Sequence, residues 1–235
     1  MIIIMSGGPG SGKTLSAVHY AMMSNRVLAN FKLKHHDGYV RLKMEHLISE
    51  SKDIPEGCRK PVVERKVNWQ FWNDNRDCDV FLDEIHNIMN SRTAMSKKNI
   101  LLSEWMSQIR KIWGSTGDVN LIKFMRRLPN EAFNKLFPEM ISRSRNLWFI
   151  TQRPRKLDIN ARDLCHVYMQ CNKIEVIKDN VKHVIIVNDV WFGNDNYDAI
   201  EMMEVGVKPR RCYFYANNLF KHYDSYEIVG MDVYL

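Results

Sequence analysis

The feature that most constrains the fold of this chain is a glycine-rich segment near its beginning, GGPGSGKT at residues 7–14. Glycine loses more conformational freedom on folding than any other residue, so a cluster of glycines is costly unless the backbone requires them. The segment follows an apolar run, MIIIM at residues 1–5, and precedes an amphipathic stretch that predicts a helix. This arrangement indicates a loop whose backbone must come very close to another group.

The same eight residues match the pattern G-x-x-x-x-G-K-[ST], which is typical of a phosphate-binding P-loop when it joins a strand to a helix. In such a loop, main-chain N–H groups and the N-terminal end of the helix point at the phosphates. We expect Lys13 to reach the β- and γ-phosphates and the Thr14 hydroxyl to bind Mg²⁺. ATP and Mg²⁺ are therefore the predicted cofactors. The predicted nucleotide-binding residues are Gly7, Gly8, Gly10, Ser11, Gly12, Lys13 and Thr14.

A second motif, CDVFLDEIHNI at residues 78–88, contains an acidic pair and predicts a buried strand that ends at Asp83 and Glu84. The carboxyl ends of parallel strands open on the ligand crevice. We expect Asp83 to hold the magnesium ion through water, and Glu84 to polarise the water that attacks the γ-phosphate. A glutamate directly after the aspartate favours hydrolysis over simple nucleotide switching.

A third strand is predicted for LWFITQRP at residues 147–154, which ends in Thr151 and Gln152 before a proline. One interpretation places the Gln152 amide between the attacking water and the γ-phosphate, where it would report the state of the nucleotide. The alternative is that the two polar residues merely cap the strand.

Four segments in this order resemble the zonula occludens toxin-like ATPases of the FtsK–HerA superfamily: SGGPGSGKT, VFLDEIHNIMNSR, LLSEWMSQIRKIWG and FITQRP. That group includes filamentous-phage assembly proteins and the related viral genome-packaging ATPases. The resemblance implies an α/β fold of the additional-strand P-loop type, with a mostly parallel sheet flanked by helices. It also implies oligomeric action and ATP-powered movement of DNA.

In packaging relatives, a helix that ends in an Arg-Lys pair runs almost directly into the strand with the Thr-Gln pair. Here Arg110 and Lys111 end such a helix, but residues 115–145 then intervene as a predicted helical insertion. An arginine that reaches a neighbour's site would stabilise charge on the transferred phosphoryl group. Arg110 fits this role by position, whereas Arg143 and Arg145 fit by nearness to the third strand. The alternative is a surface helix with solvated basic residues.

The remaining segments predict one domain over residues 1–235. We expect a strand at 26–32, a strand and a helix near 39–50, and a polar excursion at 51–76 whose alternating aromatics Trp69, Phe71 and Trp72 pack a sheet edge. Residues 89–99 predict a loop in which Arg92, Lys97 and Lys98 could contact DNA phosphates. Two alternating runs around Asp179 and Asn180 predict a β-hairpin or meander, followed by a last strand, RRCYFYA.

Composition limits the setting and the partners. The formal charge is +7, and residues 91–155 carry 13 Lys/Arg against 4 Asp/Glu, which permits a polyanionic partner. Five cysteines without a C-x-x-C pair predict reduced thiols. No apolar run approaches the 18 residues or so that span a membrane, and no secretion signal is recognisable. We therefore expect a protein of the host cytoplasm or the virion, not secreted and without a membrane span of its own.

The leading functional hypothesis is a DNA-translocating motor ATPase, with viral genome packaging as its concrete form. Its expected partners are DNA, contacted through phosphates, further copies of the chain in a hexameric ring, and a capsid or membrane-vertex protein. The alternative is phage extrusion; relatives with that role usually carry a transmembrane segment after the ATPase domain, which this sequence lacks. A small-molecule kinase, a nucleotide switch or a DNA-binding module that merely holds nucleotide are the other hypotheses.

Overall fold

The structure is a computed structural model that describes residues 1–53, 62–89, 96–113, 118–142, 145–194 and 196–223. The strands in this part of the chain are β1 (Ile2–Ser6), β2 (Val27–Ala29), β3 (Tyr39–Arg41), β4 (Ile48–Asp53), β5 (Val62–Val67), β6 (Asp79–Leu82), β7 (Leu147–Thr151), β8 (Val167–Lys178), β9 (Val181–Phe192) and β10 (Arg210–Tyr215). The α-helices are α1 (Lys13–Met23), α2 (Met44–Leu47), α3 (Trp69–Asp74), α4 (Lys97–Ile112), α5 (Asp118–Arg127), α6 (Asn130–Ser142), α7 (Ile159–Asp163) and α8 (Ala199–Glu204).

Eight of these strands form one sheet in the order β10-β9-β8-β1-β7-β6-β2-β3. The six strands from β8 to β3 are parallel, and β9 and β10 extend the sheet as antiparallel strands. Strand β7 lies between β1, which leads into the glycine-rich loop, and β6, which leads into Asp83. The additional-strand α/β fold expected from the sequence is confirmed.

The central strands are apolar throughout because both faces of the sheet are covered, as is usual for parallel sheets. In β1, Ile2 and Ile4 join a core cluster with α3, α4 and α7, whereas Ile3 and Met5 join a second cluster with α1, α5 and α6. Side chains along a strand alternate between faces, so one short apolar run supplies both cores. The sheet is thereby held rigidly between two layers of helices.

The region predicted as a polar excursion at 51–76 contains regular structure, so that prediction was wrong. Strands β4 and β5 form a separate antiparallel pair, and α3 follows directly. The expected strand at 26–32 is also shorter, because β2 ends at Ala29. The missed pair is rich in charged residues, which leave little hydrophobic alternation to detect.

The aromatic residues of this region pack in the core, but on a helix rather than along a sheet edge. Asn68 caps α3 by accepting a hydrogen bond from the Phe71 N–H at 3.2 Å. Trp72 is fully buried, and its ring centre lies 5.0 Å from that of Trp105 on α4. Trp69 and Phe71 are two residues apart, as on one face of a strand, and Trp69 and Trp72 are three apart, as on one face of a helix. Here the helical period applies.

The predicted hairpin is confirmed and is longer than expected. Strands β8 and β9 pair over their full lengths around Asp179 and Asn180, whose φ angles of 52° and 60° are those of a two-residue turn. Strand β1 pairs only with Val167–Gln170 of β8. The rest of the hairpin therefore extends beyond the end of β1, past the start of the glycine-rich loop. We call residues 171–188 the hairpin arm.

Two helices, α5 and α6, lie within residues 115–145 and cover one face of the sheet. Their buried residues include Met125, Phe133 and Phe137. The Arg210 guanidinium on β10 donates to the main-chain oxygens of Arg126 (2.9 Å) and Leu128, and lies 4.8 Å from the Phe133 ring centre. Within the described residues, no helix is long and apolar enough to cross a membrane.

Candidate nucleotide site

The glycine-rich loop joins β1 to α1, and the hairpin arm packs against it at Gly7 and Gly12 while Gly8 to Gly10 are exposed. Gly12 has φ 87°, and a Cβ there would overlap the Cδ1 atom of Ile186 on β9. A Cβ on Gly7 would overlap the Ser11 side chain and lie 2.7 Å from the Cys171 main-chain oxygen on β8. Gly10 has φ 72° with open space around it, so its requirement is conformational alone. Packing against the arm thus explains two of the four glycines.

Lys13 and Thr14 are the first residues of α1, and both point into the loop region. Lys13 is 6% exposed, and its ammonium donates to the Gly8 main-chain oxygen at 2.9 Å. The Thr14 hydroxyl donates to Asp83 Oδ2 at 2.9 Å. The start of this helix and the end of β6 therefore meet, although 69 positions separate the two residues in the chain.

Asp83 is held rigidly by a residue that the sequence analysis missed. The Asn30 amide accepts from the Asp83 main-chain N–H at 2.7 Å and donates to the Asp83 main-chain oxygen at 2.8 Å. Asp83 Oδ1 also accepts from the Glu84 N–H at 2.8 Å. Burial raises the pKa of Asp83 to about 6, although the hydrogen bond from Thr14 acts in the opposite direction. The sequence predicted a strand that runs through Asn30, whereas β2 ends at Ala29 and leaves Asn30 directly after the strand.

Glu84 adopts a left-handed backbone conformation with φ 51°, which is uncommon for a residue other than glycine. Its side chain meets the end of β7: Gln152 Nε2 donates to Glu84 Oε1 at 2.8 Å. Unusual backbone angles of this kind concentrate at functional sites, where the surrounding structure maintains them. The tips of β6 and β7 are thus joined by their side chains.

Thr151 and Gln152 differ in what their side chains do. Thr151 is buried and its Oγ1 accepts from the Arg153 N–H at 3.0 Å, which is the capping role considered as the alternative. Gln152 is exposed and contacts Glu84 instead. Thr151 Oγ1 also lies 3.0 Å from Nδ1 of His86, a second residue that the sequence analysis did not assign. The capping interpretation therefore describes Thr151, whereas the role of Gln152 beside an attacking water stays a prediction.

Of the three arginine candidates, Arg145 is the one whose side chain the structure describes, and it does not join this group. Arg145 precedes β7, and it pairs with Asp77 at 2.5 Å and with the Trp113 main-chain oxygen at 2.6 Å. Arg145 lies close to the beginning of β7, whereas Gln152 follows the end of that strand. Five extended residues separate the two ends by about 17 Å. Arg110 lies in the last turn of α4, two residues before its end, but its side chain is outside the described part of the structure. Arg92 and Arg143 are also outside the described residues.

The residues present fit a magnesium–nucleotide complex. Mg²⁺ is usually bound through one or two protein oxygens together with phosphate oxygens and water, and Thr14 and Asp83 offer a hydroxyl and a carboxylate 2.9 Å apart. Ser11 Oγ is buried and has no hydrogen-bond partner in the described structure, which leaves a polar atom available inside the loop. Lys13 supplies the positive charge that phosphates require. The arrangement can therefore bind a phosphate chain and place a carboxylate beside its end.

The fold and this group of strand tips define a P-loop NTPase of the additional-strand class. A family model described as zonular occludens toxin (Zot) matches residues 1–226, and the chain belongs to that family. The resemblance noted from the four sequence segments is confirmed.

The solved structures that are similar to the chain include the following two. One is the N-terminal domain of zonular occludens toxin from Neisseria meningitidis, with 19% identity and a TM-score of 0.48 over 95% of this chain and 98% of that chain. The other is the KaiC-like protein PH0186 from Pyrococcus horikoshii OT3, with 12% identity and a TM-score of 0.24 over 80% and 77% of the two chains. A comparison with curated protein sequences gives no match.

Proposed function

We propose that this chain is an ATP-hydrolysing motor that moves DNA. One observation carries the hydrolytic part of the proposal: the P-loop helix meets Asp83 through Thr14, and Glu84 meets Gln152 on the neighbouring strand. A phosphate-binding loop, a metal-binding pair and a carboxylate beside an amide are the parts that nucleoside triphosphate hydrolysis needs.

Each residue has a separate task in this proposal. Lys13 holds the β- and γ-phosphates by charge, and Thr14 with Asp83 holds the magnesium ion. When bound, Mg²⁺ would neutralise charge that develops on the phosphate oxygens. Glu84 accepts a proton from the attacking water as a general base, and Gln152 orients that water. The Gln152–Glu84 hydrogen bond brings the two side chains into contact at this end of the sheet.

The movement of DNA is supported by family membership and by charge. Arg153 and Arg155 follow directly after Gln152 and are exposed, and the Arg155 side chain is 88% accessible. Basic side chains at that position could contact DNA phosphates without reading sequence. A shift of Gln152 during hydrolysis would move them, because the backbone between them is short. The proposal includes a ring of copies, hexameric by family resemblance, with Arg110 of a neighbour at each site.

Such a motor has two candidate uses, viral genome packaging and phage assembly or extrusion. Membership of the zonular occludens toxin family favours assembly or extrusion, since that role belongs to the toxin-like members of the group. Packaging remains the alternative. Either use predicts ATP turnover that increases when DNA is added, whereas a small-molecule kinase should not respond to DNA.

The test compares wild type with Glu84→Gln, measuring nucleotide affinity and ATP turnover with and without DNA. We expect Glu84→Gln to bind nucleotide normally and to lose turnover by about a hundredfold or more, since a general base contributes 10²–10⁴-fold. Glu139→Gln is the matched control, because Glu139 is an exposed glutamate on α6 far from the loop. Wild type without turnover, or Glu84→Gln with normal turnover, would overturn the proposal.

A further inference from the structure

We propose that His86 is a positioning residue for Glu84, and that it acts by donating a hydrogen bond from Nδ1 to the carboxylate. The inference rests on the proposed hydrolysis, because it assigns a role at the same site. His86 lies in a single 3₁₀ turn, Ile85–Asn87, directly after Glu84. Buried Ile85 and the hydrogen bond from Asn87 N–H to the Glu84 main-chain oxygen, at 2.9 Å, fix this turn.

Both oxygens of the Glu84 carboxylate are engaged. Oε1 accepts from Gln152 at 2.8 Å, and Oε2 lies 3.3 Å from His86 Nδ1. The two donors approach from different elements, the tip of β7 and the turn after β6. A carboxylate held at both oxygens has one orientation, whereas a carboxylate with one contact can rotate. Orientation matters because a general base must lie within hydrogen-bond reach of the proton that it accepts.

The surroundings of His86 decide which ring nitrogen carries the proton. Nδ1 faces Glu84 Oε2 at 3.3 Å and Thr151 Oγ1 at 3.0 Å. A nitrogen lone pair turned towards a carboxylate would be repulsive, so Nδ1 carries hydrogen and donates. Burial lowers the pKa of His86, and the nearby cations Lys156, Arg153 and Lys13 act in the same direction, although Glu84 opposes them. We therefore assign the ring proton to Nδ1, and the lowered pKa favours the neutral ring.

Thr151 completes the arrangement. Its Oγ1 accepts from the Arg153 N–H, which fixes the hydroxyl on the side of the His86 ring. The strand tip of β7 thus reaches Glu84 twice, directly through Gln152 and indirectly through Thr151 and His86. A change in the position of β7 would alter both contacts together.

The first measurement is imidazole nitrogen NMR on the ligand-free protein with labelled histidine. We expect the His86 signals, assigned by their loss in His86→Asn, to show the Nδ1–H tautomer. The Nε2–H tautomer would overturn the inference, because Nδ1 could not then donate to Glu84. This measurement needs neither nucleotide nor turnover.

The second measurement uses three variants at one position. An Asn amide nitrogen can occupy the place of imidazole Nδ1, whereas a Gln amide reaches the place of Nε2. We expect His86→Ala and His86→Gln to lower kcat about tenfold with KM nearly unchanged, since a hydrogen bond to a charged group is lost. His86→Asn should stay within about threefold of wild type, because it restores that bond. His46→Ala on α2 is the control histidine.

The outcomes separate this inference from the proposed function. If wild type hydrolyses ATP, Glu84→Gln does not, and His86→Ala equals wild type, the inference is wrong and the proposed function stands. Equal losses in His86→Asn and His86→Gln would also overturn it, since they would indicate only a packing role. Wild type without ATP turnover would remove the basis of both.

Discussion

Strand β6 carries a buried carboxylate at each end, and the two ends behave differently. Asp79 begins the strand and Asp83 follows it, and their residues are both 4% exposed. Burial raises the pKa of both side chains, to about 7 for Asp79 and about 6 for Asp83. Burial and a raised pKa therefore do not distinguish the candidate site from the opposite end of the same strand.

The partners distinguish them. Asp79 accepts from the Asn146 N–H at 2.8 Å and from the Ser24 hydroxyl. It therefore joins the end of α1 to the beginnings of β6 and β7, on the side of the sheet that we call the amino edge. Asp83 accepts from Thr14, which directly follows the P-loop lysine. The first arrangement ties elements together, while the second leaves a hydroxyl and a carboxylate that a metal ion could share. A functional carboxylate is therefore recognised by its hydrogen-bond partners, which could leave the carboxylate and bind a ligand instead.

The largest expected difference between the two ends is in turnover. Asp83→Asn should lower ATP turnover about a hundredfold or more, because a metal-binding charge is lost. Asp79→Asn should stay within about twofold of wild type, since Asn can accept from Asn146 and donate to Ser24. Steady-state ATPase assays at saturating Mg²⁺ provide the comparison. Equal losses in the two variants would contradict a functional difference between the ends of β6.

A smaller difference is expected between two glycines with left-handed backbones. Gly12 in the loop and Gly206 after α8 have φ angles of 87° and 81°, but only Gly12 has an overlapping neighbour, Ile186. Alanine at either position should cost roughly 1 kcal/mol of stability. Gly12→Ala should also weaken nucleotide binding about tenfold, because the loop must shift away from the arm.

Titration with a fluorescent nucleotide and urea unfolding would measure both variants. Gly206→Ala is the control for the backbone cost alone. Unchanged nucleotide affinity in Gly12→Ala would show that contact with the arm does not shape the loop.

The smallest expected effect is the pH dependence of stability at the amino edge. The pKa of Asp79 is raised from 3.8 to about 7 in the folded state, so the folded protein holds a proton that the unfolded chain releases. This contribution to stability is complete below about pH 4 and is lost as the pH rises through about 7. Between about pH 6 and pH 8, wild type should lose about 1 kcal/mol more unfolding free energy than Asp79→Asn. Urea unfolding at the two pH values measures it, and parallel pH profiles would contradict it.

The nucleotide motifs could be predicted because their chemistry is local in sequence. The glycine pattern, the strand before Asp83 and the strand before Thr151 each lie in one short segment. Asn30 and His86 could not be assigned in this way, since their roles depend on which strands are neighbours and on how a single turn folds. Asn30 lies inside the strand predicted at 26–32, and His86 lies beyond the Asp83–Glu84 pair, so neither stands directly after a predicted strand.

The remaining errors have physical causes as well. Strands β4 and β5 contain Glu50, Lys52 and Glu64 among few apolar residues, so their pairing depends on main-chain hydrogen bonds that a sequence pattern does not reveal. Trp69 and Phe71 fit a strand alternation, whereas Trp69 and Trp72 fit a helical spacing, and the buried contact of Trp72 with α4 decides for the helix. Arg145 illustrates a different problem, because closeness along the chain gave no indication of which end of the strand it faces.

The hairpin arm gives the loop a mechanical extension. Ile186, which covers Gly12, pairs with Lys173, and the turn at Asp179 lies six residues further along β8. At about 3.3 Å per residue, that distance is roughly 20 Å. A tilt of about ten degrees at the glycine contact would therefore sweep the turn through roughly 3 Å. A small movement of the glycine-rich loop around a phosphate chain would therefore produce a larger movement at the far end of the hairpin arm.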